Sequence, residues 1–166
     1  MKNPDQDLIF SCTRLLIERQ LTIAFAESAT AGRICAEFSL APEAGKYLKG
    51  GLACYDASLK EDLLGVPPEQ IQTFTPESMP VTKSIATGLQ TLIPADIHIG
   101  CTGLTCPGGS ETPEKPVGTM FIYGIKGQET IFSERKWYPG DQNEIISGTI
   151  ESVAELLIVY LQKHPH

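Results

Sequence analysis

Nowhere in this chain do Lys and Arg accumulate into a basic run: 13 basic residues face 20 acidic ones, for a formal net charge of -7. Binding nucleic acid through its phosphates needs a basic stripe, so general nucleic-acid binding is excluded as a function class. Long apolar runs are missing too. The opening Met1-Lys2-Asn3-Pro4-Asp5-Gln6-Asp7 has no secretory apolar stretch, and no later run approaches membrane-spanning length; a cytoplasmic protein with no membrane partner is expected. The cysteines, Cys12, Cys35, Cys54, Cys101 and Cys106, are odd in number and show no paired metal spacing. That implies reduced thiols, the first four as small buried apolar groups. His98, His164 and His166 have no clustered carboxylate or thiol beside them, so no metal site is suggested, and the last two fall in a tail expected to be mobile. A phosphate-loop lysine motif and a dinucleotide fingerprint are likewise absent, as are repeats and low-complexity linkers, and no cofactor is implied.

What remains is one core's worth of chain: 166 residues with 42% hydrophobic content make a single domain spanning 1–166. Periodicity predicts alternating helices and strands. Asp7 to Arg19 places Leu8, Cys12, Leu15 and Leu16 on one helix face, and Ile23 to Ala26 reads as the first strand. A second helix from about Thr30 to Leu40 and a second strand from Tyr47 to Tyr55 follow. Lys60 then falls in a short helix stopped by Gly65, with Pro67 barring its continuation. Thr75-Pro76 reads as the cap and first turn of a helix to about Ile93, with Pro80 in its first turns. Ile97 to Cys101, Val117 to Ile125 and Thr130 to Trp137 read as strands, the last two a hairpin around Lys126-Gly127. Pro139-Gly140-Asp141 precedes a closing amphipathic helix. This order indicates an α/β domain with a mixed sheet.

Three segments carry chemistry. Glu27-Ser28-Ala29-Thr30-Ala31-Gly32 puts a serine hydroxyl where a strand ends and a helix begins, a seat for a nucleophile with helix-start N–H groups nearby to hold an oxyanion or phosphate. Ser28 in that position is equally an ordinary helix cap. Tyr55 and Lys60 follow a strand-turn-helix pattern; read alone, Tyr55 is a core aromatic and Lys60 a solvated helix lysine beside Glu61. Thr102, Gly103, Gly108 and Gly109 lie in a glycine-rich loop whose amides could approach a phosphate or ribose, or which is simply a surface loop. Lys115 is either a counter-charge for phosphate or an exposed loop lysine. Glu27 either orients the site or serves helix-start electrostatics.

Together these stretches resemble the CinA C-terminal domain family, also found as the stand-alone nicotinamide-nucleotide amidohydrolase PncC. The matching blocks are Glu-Ser-Ala-Thr-Ala-Gly at 27–32, Tyr55 with Lys60, Leu64-Gly65-Val66, Thr-Gly-Leu-Thr-Cys-Pro-Gly-Gly at 102–109 and Lys115-Pro116-Val117-Gly118. The resemblance implies a three-layer α/β/α sandwich with a mixed, mostly parallel sheet. It also implies deamidation of nicotinamide mononucleotide to nicotinate mononucleotide and ammonia. By resemblance Ser28 is the nucleophile, Tyr55 and Lys60 are the proton-handling pair, and Glu27, Thr30, Gly32, Thr102, Gly103, Gly108, Gly109 and Lys115 contact substrate. A homo-oligomer is expected, and the pyrophosphatase activity associated with the N-terminal domain of full-length relatives is not.

The chain also departs from the family pattern. Ala29 and Ala31 replace a Cys and a Gly, Cys106 replaces a loop glycine, Phe74-Thr75-Pro76-Glu77-Ser78 stands where the family has His-Gly-Ala-Val-Ser, and Gln142 replaces an arginine before the last helix. Three readings therefore stay open: a pyridine-nucleotide amidohydrolase acting through Ser28, a nucleotide-binding or regulatory module of weak or no activity, and a thiol enzyme using Cys106 with His98 or His164 as base.

Overall fold

Every residue from Ile23 to Glu27 is buried, and this stretch forms the central strand β1 (Ile23–Glu27). A strand covered on both faces reads as a continuous apolar run, which is why this block stands out in the sequence. The structure, a computed structural model, describes residues 2–165. Around β1 the chain forms α1 (Gln6–Glu18), α2 (Arg33–Ser39), a 3-10 turn (Ala44–Lys46), β2 (Leu48–Ala53), α3 (Ala57–Asp62), α4 (Pro68–Phe74), α5 (Met79–Leu92), β3 (Ile97–Gly103), β4 (Thr119–Lys126), β5 (Glu129–Trp137) and α6 (Gln142–Lys163).

The five strands make one sheet in the order β2-β1-β3-β4-β5. β1 pairs parallel with both β2 and β3, whereas β4 runs antiparallel to β3 and to β5. Helices cover both faces, so the sandwich expected from the sequence is the one observed. On one face Ile9 and Leu16 of α1, Ile34 and Phe38 of α2 and Ile150, Val153 and Leu157 of α6 pack against Phe25 and Ile99. On the other, Val81, Ile85 and Leu89 of α5 meet Ala24 and Ala26 together with Leu64 and Val66. The split follows from strand alternation, which sends Ile23 and Phe25 one way and Ala24 and Ala26 the other. Each fully buried large apolar side chain contributes about 1.5–3 kcal/mol, so these two layers supply the main favourable term. Small residues let α5 approach closely: a Cβ on Gly100 would overlap the Thr82 carbonyl oxygen.

The element boundaries differ from the sequence reading in instructive places. α2 starts at Arg33 rather than Thr30, because Ala31 (φ 50°) and Gly32 (φ 92°) are left-handed. Thr75-Pro76 does not open α5; Ser78 is its N-cap and Pro80 sits in its first turn. Before it lies α4, a helix not anticipated, started by Pro68 in the position where a missing N–H costs nothing. α6 is opened by a reciprocal capping box between Asp141 and Glu144. Among the described residues no helix is long and apolar enough to cross a membrane.

Candidate active site

The carboxyl end of β1 lies between the ends of two parallel neighbours, and this is where Ser28 sits. Its N–H donates to the Cys101 carbonyl of β3 (2.9 Å), while the Cys54 N–H donates to the Glu27 carbonyl (2.8 Å), so both flanking strands clamp the turn. In open α/β sheets the crevice beyond the strand carboxyl ends, where connections leave to opposite faces, is the usual ligand position. Here α2 lies on one face and α5 on the other.

Glu27 does not contact the crevice. It is buried, and its carboxylate accepts from the Thr30 hydroxyl (2.7 Å) and from the N–H groups of Ile34 (2.8 Å) and Cys35 (3.0 Å). Burial pushes its pKa up, opposed by these hydrogen bonds. Two expectations change as a result. The first-turn amides of α2, read as oxyanion or phosphate donors, are occupied by Glu27. Glu27, Thr30 and Gly32, expected at the substrate, instead brace the turn that holds Ser28, Gly32 as the left-handed cap of α2. The Ala29 N–H makes no hydrogen bond among the described residues, and Ala29 lines the crevice. It is the amide immediately after the serine, the position that serves as an oxyanion donor when a serine ends a strand. Ala31, one residue before that cap, carries left-handed strain of about 1 kcal/mol that a glycine would not.

Lys60 is not a solvated helix lysine. It is 1% exposed, and its Nζ lies 3.1 Å from Ser28 Oγ and donates to the Cys54 carbonyl (2.7 Å). The short helix α3, capped by Asp56 and ended at Gly65 (φ 67°), aims this one long side chain inward beneath the crevice. Burial lowers its pKa; Cys54, Glu77 and Asp56 act in the opposite direction. An amine held next to a serine hydroxyl with its charged form disfavoured is equipped to take that hydroxyl's proton. Tyr55 stands apart. It lies beyond the end of β2, is 59% exposed, and its hydroxyl has no hydrogen-bond partner among the described residues. The crevice wall includes both Tyr55 and Ser28, but Lys60 alone of the proposed pair touches the serine.

The crevice encloses about 220 Å³ and reaches from Ser28 to the loop after β3. Gly103, Gly108 and Gly109 lie on its wall as anticipated, yet Gly103 answers to packing: a Cβ there would strike the Met120 sulfur and come within 2.7 Å of the Thr119 carbonyl oxygen. Thr102, expected to donate to substrate, is fully buried with its hydroxyl paired to Thr82 (2.8 Å). Lys115 is not free for phosphate, since its Nζ donates to Thr75 Oγ1 (2.7 Å), Ser110 Oγ (2.8 Å) and the Glu77 carbonyl (3.0 Å). Gln142 donates to Thr105 Oγ1 (3.1 Å), tying the start of α6 to this loop. Sequence reasoning missed Glu77, whose side chain lines the crevice and accepts from Ser110 (2.5 Å). The signal was present in the departure at 74–78, but Thr75-Pro76 drew attention as a helix start.

Cysteine and histidine do not meet. Cys12, Cys54 and Cys101 are buried as expected, with thiol pKa values pushed up by burial, while Cys35 is half-buried and Cys106 exposed. His98 lies in β3, about 16 Å of strand before the loop that carries Cys106, and its Nε2 is paired with the Ile93 carbonyl (2.8 Å). His164 is at the far end of α6, roughly 30 Å from the end that touches Thr105, stacked on Tyr160 with ring centroids 4.6 Å apart. Neither reaches Cys106, which removes the thiol-enzyme reading. Nor is the tail loose at His164, whose carbonyl accepts from Arg19 (2.6 Å). His166 lies outside the described residues.

With this geometry in place, the comparison with known proteins is decisive about kinship. The CinA C-terminal domain family matches residues 5–161. The chain belongs to that family. A putative competence-damage inducible protein of Desulforudis audaxviator is 32% identical over 149 residues, covering 90% of this chain and 36% of the relative. A CinA-like protein of Prochlorococcus marinus is 40% identical over 119 residues, covering 70% of this chain and 28% of its own. This CinA-domain chain thus spans about a third of the length of the curated relatives it matches. Among solved structures, the competence/damage inducible protein from Agrobacterium tumefaciens superposes with a TM-score of 0.85 at 25% identity, covering 96% of this chain and 98% of that one. A CinA superfamily protein from Klebsiella pneumoniae has the same fold, with a TM-score of 0.90 at 23% identity over 95% of this chain and 98% of its own.

Proposed function

We propose that this CinA-domain protein is a serine amidohydrolase acting on the carboxamide of a pyridine nucleotide, with nicotinamide mononucleotide the substrate that the family resemblance implies. The observation that carries the reading is the buried Lys60 amine 3.1 Å from the Ser28 hydroxyl at the base of the crevice. In this mechanism the Ser28 oxygen attacks the carboxamide carbon while its proton passes to Lys60 Nζ. The resulting oxyanion takes a hydrogen bond from the Ala29 N–H, a donor held in place without reorganisation. Collapse breaks the carbon–nitrogen bond, Lys60 returns the proton to the leaving nitrogen, and ammonia departs. Water then attacks the Ser28 ester with Lys60 again as base, releasing the carboxylate product and restoring the hydroxyl. Tyr55 belongs to the wall that receives the ring rather than to the proton path, since Lys60 and not Tyr55 contacts the nucleophile.

Ammonia release from nicotinamide mononucleotide, compared between wild type and Ser28→Ala with free nicotinamide as control, tests this. Serine-dependent release supports the reaction and its class. Binding of the nucleotide without ammonia above the variant's background rejects turnover and leaves a nucleotide-binding module.

A further inference from the structure

The turn between α4 and α5 is held in a shape that its sequence resists. Thr75 has φ 70° and ψ 158°, a region that glycine enters freely and a β-branched residue does not. Four hydrogen bonds pin it there: its N–H to the Ile71 carbonyl (2.9 Å), its hydroxyl to the Glu77 carbonyl (3.1 Å), and, to its own oxygens, the Ser78 hydroxyl (2.9 Å) and Lys115 Nζ (2.7 Å). The other two donors of Lys115 go to the Glu77 carbonyl (3.0 Å) and to Ser110 Oγ (2.8 Å). Ser110, accepting from Lys115, is left to donate to Glu77 Oε2 (2.5 Å). The product of this clamp is one carboxylate fixed on the crevice wall, with its second oxygen free of any hydrogen-bond partner among the described residues. Lys60 and Lys115 both lie close enough to feel the Glu77 charge, so what the carboxylate offers a ligand is a positioned acceptor rather than a net negative field. Thr75 and Glu77 are also two of the positions at which this chain departs from the family pattern.

We infer that Glu77 is a specificity-determining residue that accepts hydrogen bonds from the ribose hydroxyls of the ligand, which makes the crevice selective for ribosylated amides. A carboxylate oxygen only accepts, so its ligand partner must be a donor. On the amidohydrolase reading, on which this rests, the carboxamide is engaged at Ser28, Ala29 and Lys60, and the pyridinium ring carries no N–H. The donors left on a pyridine nucleotide are the vicinal 2′ and 3′ hydroxyls of the ribose. A phosphate on the 5′ oxygen leaves both in place, so the contact serves the mononucleotide and the nucleoside alike. Hydrogen bonds to an ionised acceptor are the stronger kind, and each is worth about tenfold to a hundredfold in affinity.

The test pairs a change in the protein with a change in the ligand. Ammonia release is measured for nicotinamide mononucleotide and for its 2′-deoxy and 3′-deoxy analogues, in wild type, Glu77→Val and Glu77→Gln. In wild type, loss of at least one hydroxyl should lower kcat/KM about tenfold or more; in Glu77→Val that penalty should shrink to about twofold or less. Glu77→Gln keeps an oxygen for Ser110 should Val loosen the turn, and it should shrink the penalty by a smaller factor. A variant that merely deforms the wall weakens all three ligands together and leaves their ratios alone. Unchanged ratios in both variants, or no penalty in wild type for either hydroxyl, overturn the inference. Calorimetric binding of the same ligands to Ser28→Ala and to Ser28→Ala/Glu77→Val separates the two ideas. If no ligand releases ammonia but the hydroxyl penalty appears in binding and Glu77→Val removes it, the hydrolytic reading fails and the ribose contact stands. Ammonia release with a penalty that Glu77→Val does not move keeps the hydrolytic reading and rejects the contact, and binding of none of the three rejects it as well.

Discussion

Replacing Lys60 by Met removes the amine while keeping most of the side chain's volume, and the structure sets what should follow. Lys60 Nζ has two partners, Ser28 Oγ at 3.1 Å and the Cys54 carbonyl at 2.7 Å, in a site where the residue is 1% exposed. Loss of a positioned general base costs about 10²–10⁴ in kcat, or roughly 3–5 kcal/mol of transition-state stabilisation. The fold should respond far less. Leaving the Cys54 carbonyl unpaired costs about 1–3 kcal/mol, and removing a buried ammonium returns a comparable amount, so Tm should move by no more than about 8 °C. Lys60→Arg separates base from charge. Arg retains the positive charge but does not deprotonate, so it should be as inactive as Met if Lys60 accepts the proton. It should restore activity if Lys60 only supplies a field to Tyr55. The pH dependence has a defined sign. Burial lowers the folded-state pKa of Lys60 below its unfolded value, so the unfolded chain binds more protons in the interval between them. Stability of wild type relative to Lys60→Met should therefore rise as pH increases through that interval, and kcat should rise as Lys60 loses its proton. Serine-dependent ammonia release by Lys60→Met at more than a tenth of the wild-type rate, with an unaltered pH profile, would refute the assignment.

Other substitutions probe the frame around the nucleophile. Glu27→Ala should destabilise by about 3 kcal/mol or more in denaturant unfolding, because it strands the Thr30 hydroxyl and the Ile34 and Cys35 amides in a buried site. Gly103→Ala should lower both Tm and activity, since its Cβ would collide with Met120 and the Thr119 carbonyl directly beside the crevice. Ala31→Gly should leave the structure intact and recover up to about 1 kcal/mol of left-handed strain, read as a rise in the denaturation midpoint. Cys106→Ser should retain full ammonia release, because neither His98 nor His164 is placed to activate that thiol; loss of activity would reinstate a thiol mechanism.

The elements most legible in the sequence are those with long, one-sided periodicity. α1 and α6 follow from their apolar stripes, and β1 from a continuous apolar run that only burial on both faces explains. α4 was hidden because it is short, buries no residue and begins at one of two consecutive prolines, which read as a barrier. In the site, Ser28 and Lys60 were singled out through the family resemblance, and the buried contact between them depends on α3 turning inward, which no local pattern encodes. Glu27, Thr102 and Lys115 share one feature. Each is a polar group whose partner lies on another segment, so a side chain that looks available for ligand in the sequence is already hydrogen-bonded in the fold. Glu77 failed in the opposite sense: its position on the crevice wall is set by the irregular turn at Thr75 (φ 70°) between two helices.

In the proposed mechanism Ser28 forms a covalent ester with the acyl group of the substrate. Rapid-quench mass spectrometry of the protein mixed with nicotinamide riboside or its mononucleotide tests this most directly, with proteolysis to locate any adduct. An acyl adduct is expected on the peptide that carries Ser28, absent from Ser28→Ala and slow to form in Lys60→Met. Ammonia release with no adduct at any quench time, or an adduct on Cys106 or Tyr55 instead, would contradict it.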